Sequence, residues 1–312
     1  MNIPFISIED VEHQLTWSEV ADALAEGHRL NKARLGDLAL ERGVQSMLNR
    51  AAWVDGLGLA LKSVTIYPQN AQSIPPLPTI QSVVVLFDDE TGAIKALIDG
   101  QLVTKWKTAG DSVLGARLLA RPEAKNLLVV GSGTVASSLI DAYREVFPEL
   151  ERISVWSRNP ENASALAQSQ SCIAAPDLAS AVGEADIITS ATMARSPVIM
   201  GKWVKSGTHI DLIGAFRNDM READDELLKK GRLFVDSRET TIHDIGELSI
   251  PIAQGVISEN DVIADYYDLA QGDLFARKSH AEVTIFKNGG GAHLDLMVAK
   301  LIYDKWAAVR TL

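Results

Sequence analysis

The chain has a single cysteine, Cys172, in 312 residues. One thiol can form neither a disulfide within the chain nor a cluster of thiolates around zinc, and such sparse use of cysteine is typical of a reducing cytosol. Long apolar runs are also missing, since none approaches the roughly 20 residues that a membrane helix needs. The first ten residues contain the acid Glu9 and no basic segment, so they predict no secretion signal. We therefore expect a cytoplasmic protein with no membrane partner.

Positive charge is scarce. Lysine and arginine number 30 against 41 aspartates and glutamates, which gives a formal net charge of −11. Nucleic acid is therefore not an expected partner, because binding a phosphate backbone requires a basic face. With 46% apolar and 23% charged residues the composition is that of a globular protein, and the length allows about two domains. Any anionic ligand must be bound by a few local cations.

Several catalytic motifs are missing as well. The six histidines form no HExxH motif, and the sequence contains neither a GxSxG elbow nor a phosphate-binding P-loop. We expect no metal site, no acyl transfer and no nucleotide hydrolysis. Each histidine is expected on the surface or paired in the core. The case for this is weakest for His293, which lies near Asp295 beside a glycine run.

The first 120 residues predict a helix, then a β-rich region, then a second helix. Apolar residues between Glu9 and Glu26 recur at helical spacing. Clusters of Gly, Pro, Asn and Asp then separate strand-like segments at Asp37–Leu40, Ala51–Trp53, Leu59–Tyr67 and Gln81–Phe87. The turn ending at Gly92 predicts a hairpin in which this glycine has a positive φ. The second helix is expected over Lys107–Ala120.

Strands and helices alternate between residues 127 and 236, which calls for a parallel sheet covered on both faces. The predicted strands are Leu127–Val130, Arg152–Trp156, Ser171–Ala174, Asp186–Ser190, Thr208–Ile213 and Leu233–Asp236. Four helices are predicted here: one that ends at Val146, one that begins at Pro160, a short one near Leu178–Val182 and one that spans Arg221–Lys230. A final helix after Gly289–Gly291, extending through Trp306, is expected to return to the first domain.

The most informative stretch is an apolar run from Asn126 that breaks into glycines. Gly131 permits a tight bend after the strand, Gly133 lets the backbone approach a pyrophosphate, and Ala136 lets the next helix pack closely. The free N–H groups at that helix start would face the phosphates. We favour a dinucleotide-binding turn over an ordinary glycine turn. Its candidate cofactor contacts are Gly131, Ser132, Gly133, Thr134, Val135 and Ala136.

The residues after the next strand, Ser157 and Arg158, indicate which dinucleotide binds. An acid at this point binds the ribose 2′-hydroxyl of NAD, whereas a cation accommodates the 2′-phosphate of NADP. The acid is absent here, and the two side chains offer a hydroxyl and a guanidinium. The sequence therefore favours NADP(H), with NAD(H) still possible. The alternative is that Arg158 only caps the following helix.

Three basic residues could bind an anionic substrate. Arg50 and Lys62 flank residues 53–61, and Lys107 begins the second predicted helix. Lys62 ends an apolar run, where a partly buried amine is costly unless it is paired. A substrate carboxylate could pair it. Equally, it could be a lysine at a strand end whose ammonium reaches solvent.

A series of short motifs extends in order along nearly the whole chain. The motifs are Gly58–Lys62, Leu77–Thr79, Thr91–Gly92, Ala96–Gly100, Lys107–Ala109, Gly131–Ala136, Ile213–Ala215, Asp219–Glu222, Phe234–Ser237, Phe286–Asn288 and Lys300–Asp304. Together they resemble the ornithine cyclodeaminase and mu-crystallin family.

The resemblance implies an α/β fold in which a Rossmann dinucleotide-binding domain is inserted in an α+β domain for substrate binding and dimerisation. We expect the inserted domain at residues 116–289 and the other at residues 1–115 plus 290–312. The family also implies a homodimer, a ligand between the domains, and a grip on the substrate carboxylate. That grip falls to Arg50, Lys62 and Lys107, with Thr79 nearby. The further candidate cofactor contacts are Thr108, Ala191 and Thr192.

Two residues depart from the family pattern. Lys107 stands where the family usually has arginine, so a point charge replaces a bidentate fork. Phe216 stands where cyclodeaminases have the aspartate that serves the amine closing the ring, and Asp219 lies too far along the chain to be its equivalent. Arg217 and Asp219–Glu222 resemble the mu-crystallin-like imine reductases instead.

We therefore expect an NAD(P)-dependent reductase of cyclic imino acids such as pyrroline-2-carboxylate or piperideine-2-carboxylate, with Lys62 as the candidate catalytic residue. One alternative is ornithine cyclodeamination or the oxidative deamination of a simple amino acid such as alanine. Another is a non-catalytic protein that binds a small molecule together with NADPH.

Overall fold

The computed structural model describes residues 3–272 and 277–310. Their contacts divide the chain into two compact units, residues 1–107 with 291–312 and residues 108–290. The first unit is therefore discontinuous in sequence, and the C-terminal helix belongs to it. Within the described residues, no helix combines the length and the apolarity that crossing a bilayer requires.

The first unit contains a six-stranded mixed sheet. Its strands are β1 Phe5–Ile6, β2 Arg34–Arg42, β3 Gln45–Val54, β4 Gly58–Ile66, β5 Ile80–Phe87 and β6 Ile94–Asp99. They lie in the order β1-β6-β5-β4-β3-β2, with β1 parallel to β6 and the other neighbours antiparallel. The predicted β-rich region is confirmed. The predicted hairpin is also confirmed, and Gly92 in its turn has a φ of 67°.

The second unit contains an eight-stranded parallel sheet. Its strands are β7 Asn126–Val130, β8 Arg152–Trp156, β9 Ile173–Ala174, β10 Ile187–Ser190, β11 His209–Leu212, β12 Arg232–Val235, β13 Val262–Ala264 and β14 Thr284–Lys287. They lie in the order β13-β12-β14-β11-β10-β7-β8-β9. The order reverses between β7 and β10, and ligands of such sheets bind beyond the carboxyl ends of the strands at this switch point. The predicted Rossmann fold is confirmed.

The helices are α1 Ile8–Val11, α2 Trp17–Gly27, α3 Gly100–Leu119, α4 Thr134–Val146, α5 Pro160–Ser169, α6 Leu178–Glu184, α7 Asp225–Lys230, α8 Arg238–Thr241, α9 Gly246–Ala253, α10 Tyr266–Leu269 and α11 Ala292–Arg310. In the first unit α11 packs against β3, β4, β5 and α2. In the second unit α4 packs against β7 through a buried face that includes Ala136, Leu139 and Tyr143.

Three predicted helices have different bounds in the structure. The expected single helix from Glu9 is wrong, because Thr16 adopts an extended conformation, accepts a hydrogen bond from the Glu19 N–H and starts a new helix. The second helix begins at Gly100 rather than at Lys107. The helix expected from Arg221 begins four residues later, since Asp224 caps it by accepting from the Leu227 N–H. Apolar periodicity continues through such caps and does not reveal them.

Candidate active site

A row of charged residues crosses three neighbouring strands of the first sheet. Asp37 on β2 lies directly opposite Arg50 on β3, which lies directly opposite Lys62 on β4. Directly opposed residues project from the same face of a sheet, so the three side chains are neighbours. The Arg50 Nε donates to the Asp37 carboxylate at 2.9 Å. Two of the three predicted substrate-binding cations are therefore adjacent.

Lys62 lies in the middle of β4 and is 7% exposed. Its Nζ donates to Asp295 Oδ1 at 2.9 Å and to Thr104 Oγ1 at 2.6 Å. The alternative of a solvent-reaching lysine at a strand end is therefore wrong. The pairing of Lys62 was not predicted from the sequence: Asp295 on α11 already supplies this amine with a carboxylate. An acid among the apolar residues Leu294, Leu296 and Met297 was the available signal.

The Lys62 ammonium has three N–H donors. In the described part of the chain it makes two hydrogen bonds, to Asp295 and to Thr104. One donor is left for a ligand. Thr104 is an exposed residue on α3, and its hydroxyl donates to the Gly100 carbonyl at 2.7 Å, so it turns a lone pair toward the ammonium. The pair with Asp295 is thus buried on one side and accessible beside Thr104.

The cations act together on Asp295. Burial raises the pKa of this carboxyl, but Lys62, Lys107 and Arg50 together hold the pKa below its ordinary value. Lys107, on α3, is itself 9% exposed. The structure therefore brings all three predicted cations around one ionised carboxylate within the first unit.

His293 lies in the same cluster. Burial, followed by the charges of His28, Lys107 and Arg50, lowers the pKa of His293 well below its ordinary value. The ring is therefore neutral at neutral pH, and it meets the His28 ring edge-on with centroids 5.2 Å apart. His28 Nδ1 lies 2.7 Å from the Leu24 carbonyl. His293, which the sequence sets apart from the other histidines because it lies near Asp295, is therefore a buried neutral ring in this cluster.

Thr79 lies further along the sheet. Its carbonyl accepts from the Tyr67 N–H at 2.8 Å, just beyond the end of β4. Five residues of strand separate Tyr67 from Lys62, which corresponds to about 16 Å. Among the described residues, 3–272 and 277–310, no hydrogen bond joins the Thr79 side chain to any of the three cations.

The turn after β7 has the geometry that a dinucleotide needs. Gly131 has a φ of 133°, and a Cβ there would meet the Ala191 carbonyl oxygen at 2.6 Å. A Cβ on Gly133 would meet nothing within 4 Å, so this position opens onto free space. Gly133 is the N-cap of α4. A phosphate can therefore approach the helix start without displacing a side chain.

The other candidate contacts in the second unit are accessible to different degrees. Thr134 is exposed, and the half-buried residues are Thr108, Ser132, Val135, Ala191 and Thr192. Ala136 is fully buried against the sheet, as its predicted packing role requires. The Ala191 N–H donates to the Val130 carbonyl at 2.8 Å, so the segment after β10 lies beside the end of β7.

Ser157 and Arg158 follow β8 as predicted. Arg158 is exposed, whereas Ser157 is buried and its hydroxyl donates to the Asn159 carbonyl at 2.6 Å. The Asn159 side chain caps α5 by accepting from the Glu161 N–H. The alternative that Arg158 caps this helix is therefore wrong.

Glu222 ties together the segments that follow β10 and β11. Its Oε1 accepts from the Thr192 N–H at 2.8 Å and from the Ser190 hydroxyl at 2.6 Å. Its Oε2 accepts from the Gly214 N–H at 2.7 Å. Gly214 is needed, because a Cβ there would lie 2.2 Å from the Thr192 backbone. One buried carboxylate thus fixes the candidate cofactor contact Thr192.

A second buried acid and a buried lysine support this arrangement. Glu247 accepts from the backbone N–H groups of Glu222 and Ala223 at 2.7 and 2.9 Å. Burial, followed by the charge of Glu222, raises the pKa of Glu247 to about 7. Lys287 Nζ donates to three backbone carbonyls, those of Leu212, Ala215 and Asn288.

Phe216 and Asp219 follow β11. Phe216 is 57% exposed, so its ring does not belong to a core. Asp219 lies 3.4 Å from Arg195 Nε and 3.3 Å from Arg217 Nε, which pair it with two guanidinium groups. Neither residue therefore offers the unpaired carboxylate that the cyclodeaminase pattern has after its Ile-Gly motif.

Comparison with known proteins shows the family of this chain. The model of the ornithine cyclodeaminase/mu-crystallin family matches residues 7–310. The chain belongs to this family. The resemblance inferred from the motifs is confirmed.

Two curated relatives and one solved structure illustrate the similarity. The Δ1-pyrroline-2-carboxylate reductase of Paracoccus denitrificans is 50% identical over 303 residues, covering 96% of this chain and 95% of the relative. The ketimine reductase mu-crystallin of Mus musculus is 32% identical over 321 residues, covering 97% of each. The structure of Thermococcus litoralis Δ1-pyrroline-2-carboxylate reductase in complex with NADH and L-proline has a TM-score of 0.89 at 29% identity, covering 99% of this chain and 98% of that one.

Proposed function

We propose that this chain is an NAD(P)H-dependent reductase of cyclic imino acids, with pyrroline-2-carboxylate and piperideine-2-carboxylate as model substrates. The observation that carries the proposal is the cluster of Arg50, Lys62 and Lys107 around the buried Asp295. These three cations outnumber the carboxylates of Asp295 and Asp37, so the cluster attracts a further anion. The reductase names of the Paracoccus and mouse relatives support the same chemistry.

The residues of the cluster bind and orient the substrate. When bound, the reduced nicotinamide supplies a hydride to the imine carbon. The remaining donor of Lys62 binds the substrate carboxylate, and Arg50 adds a guanidinium from the neighbouring strand. Lys107 supplies a point charge, and the neutral ring of His293 adds no competing charge. Holding the substrate in one orientation lowers the entropic cost of the hydride step.

The direct test is oxidation of the reduced cofactor, followed by its absorbance, with a panel of cyclic imines. We expect turnover of pyrroline-2-carboxylate or piperideine-2-carboxylate and no release of ammonia from ornithine or alanine. Ammonia release would instead favour cyclodeamination or amino-acid dehydrogenation. Tight binding of both ligands without turnover of any imine would favour a binding protein.

We also propose that NADPH is preferred over NADH. The exposed Arg158 lies after β8, where the 2′-phosphate of the adenosine ribose is bound in Rossmann folds. Replacing Arg158 by Ala should raise the KM for NADPH and leave that for NADH unchanged. Arg152→Ala, which removes an exposed ion pair with Glu184, is the matched control. Equal effects of R158A on both nucleotides would contradict the preference.

A second copy of this chain is the proposed partner. β2 is the terminal strand of the first sheet, it spans nine residues, and it exposes Leu38 and Leu40 on one face. An edge strand that is long and apolar invites pairing with another chain. Light scattering should therefore give the mass of a dimer. Leu40→Lys should shift it toward the monomer, and a monomeric wild type would refute the proposal.

A further inference from the structure

We propose that Asp295, together with Thr104, is a positioning residue that aims the one remaining donor of Lys62 at the substrate. This inference rests on the proposed imine reduction, since it assigns Lys62 a ligand. It concerns a residue that touches Lys62 rather than the substrate.

The geometry fixes two of the three donor directions of the ammonium. Asp295 Oδ1 lies 2.9 Å from Lys62 Nζ, and the Asp295 side chain is 2% exposed. Thr104 Oγ1 lies 2.6 Å away on the accessible side. An ammonium that makes two short hydrogen bonds cannot rotate freely about its terminal bond. Its third donor therefore has a fixed direction before any substrate arrives.

The supporting elements leave little freedom to either partner. Lys62 extends from the middle of β4, between the paired strands β3 and β5. Asp295 lies in the first turn of α11, and this helix packs against β3, β4 and β5. Sites built on packed strands and helices hold their geometry more tightly than sites built on loops.

The surrounding charges explain why an acid is needed here. Arg50 from β3 and Lys107 from α3 act on Asp295, and both also act on His293 of α11, whose ring meets that of His28 just after α2. The first two are cationic and repel the Lys62 ammonium. Asp295 is the buried carboxylate that offsets this repulsion, and Asp37, which pairs with Arg50, is a more exposed one. Without Asp295, less negative charge would offset the mutual repulsion of the three cations.

A purely structural ion pair would give different results. If Asp295 only holds α11 on the sheet, its loss lowers the stability but leaves kcat/KM and the protection of the Lys62 ammonium unchanged. If it positions the Lys62 ammonium, its loss lowers kcat/KM and leaves that ammonium less protected from exchange with water.

The experiment compares Asp295→Asn and Thr104→Val with the control Asp304→Asn. Asp304 also pairs with a lysine, Lys300, on the same helix, but this pair is exposed. For each protein, kcat/KM for pyrroline-2-carboxylate is measured. The Lys62 NζH3+ signal of the full-length protein is recorded by ¹H–¹⁵N NMR and assigned by its absence in Lys62→Met. This signal persists only while hydrogen bonds protect the ammonium from exchange with water.

We expect D295N to lower kcat/KM by about tenfold or more and to abolish the NMR signal. T104V should weaken the signal and lower kcat/KM less, since a neutral acceptor is lost. D304N should match the wild type. If D295N does not fold, Asp295→Glu keeps the charge but displaces it, so the NMR signal should weaken and kcat/KM should fall.

Two outcomes overturn different statements. A D295N enzyme with the wild-type kcat/KM and NMR signal would show that Asp295 does not position Lys62. A wild type that reduces no imino acid would refute the proposed function, whereas the NMR signal would still report whether Asp295 and Thr104 hold the ammonium.

Discussion

Lys62 and Lys287 are both buried lysines on β-strands, one in each unit, but their ammonium groups have different partners. Lys287 donates to three backbone carbonyls, which use all its donors. Lys62 donates to a carboxylate and a hydroxyl and keeps one donor. A lysine whose donors are all used by the backbone holds loops in place, whereas one with a spare donor can bind a ligand.

The charges around the two lysines differ as well. Lys62 lies among cations, Arg50 and Lys107, that exceed the buried acid Asp295. Lys287 lies among acids: burial lowers its pKa, and Glu247, Glu222, Asp236 and Asp211 act in the opposite direction. The first cluster attracts an anion, whereas in the second the acids outnumber the lysine. The following predictions test this contrast.

Replacing Lys287 by Met should have the largest effect. The change leaves three carbonyls without a donor and four acids without their cation. Breaking one side of a buried charge cluster costs about 3–5 kcal/mol. The free energy of unfolding measured in urea should fall by this amount.

The control for Lys287→Met is Lys230→Met. Lys230 also donates to two backbone carbonyls, those of Gly201 and Val204, but it lies in a partly buried place, so its loss should cost less. Equal losses of stability in the two variants would mean that the charge of Lys287 does not stabilise the acids around it.

Replacing Lys62 by Met should mainly affect activity. A hydrogen bond to a charged group contributes about 1.5–3 kcal/mol, so kcat/KM for the imino acid should fall by about 10-fold to 150-fold, chiefly through KM. Steady-state kinetics measure the change. Lys300→Met removes a half-buried lysine that pairs with the exposed Asp304 and is the control. An unchanged KM would remove Lys62 from the site.

Local sequence patterns predicted much of this contrast between the two lysines. They could not predict contacts between residues that are far apart in the sequence. The Gly131 turn, the parallel sheet and the three cations follow from residue types and spacing. The partner of Lys62 does not, because Asp295 lies 233 residues further along the chain. The strand β14, which carries Lys287, is also missing from the prediction, since four residues are too few to show a periodicity.

Replacing Glu222 by Gln should weaken cofactor binding. The amide keeps one oxygen, so it cannot accept from both Thr192 and Gly214, and the segments after β10 and β11 lose their common anchor. We expect roughly tenfold weaker binding of the dinucleotide, or about 1.4 kcal/mol, by fluorescence titration. The imino acid KM at saturating cofactor should stay near the wild type. Unchanged dinucleotide affinity would make Glu222 a purely structural residue.

The smallest expected effect is on the pH dependence of the free energy of unfolding. One acid in each cluster contributes to this dependence, and the two contributions should have opposite signs. The pKa of Glu247 is raised to about 7, so its contribution to stability is complete below its ordinary value of 4.5 and is lost as the pH rises through 7. The pKa of Asp295 is lowered, so its contribution is present above the ordinary value of 3.8 and is lost as the pH falls.

Glu247→Gln should therefore flatten the fall in the free energy of unfolding between pH 6 and pH 7, by about 1 kcal/mol, in urea titrations. Glu149→Gln, at an exposed ion pair with Lys125, is the control and should keep the wild-type slope. A wild-type slope in the Glu247 variant would mean that Glu247 is ionised throughout this range.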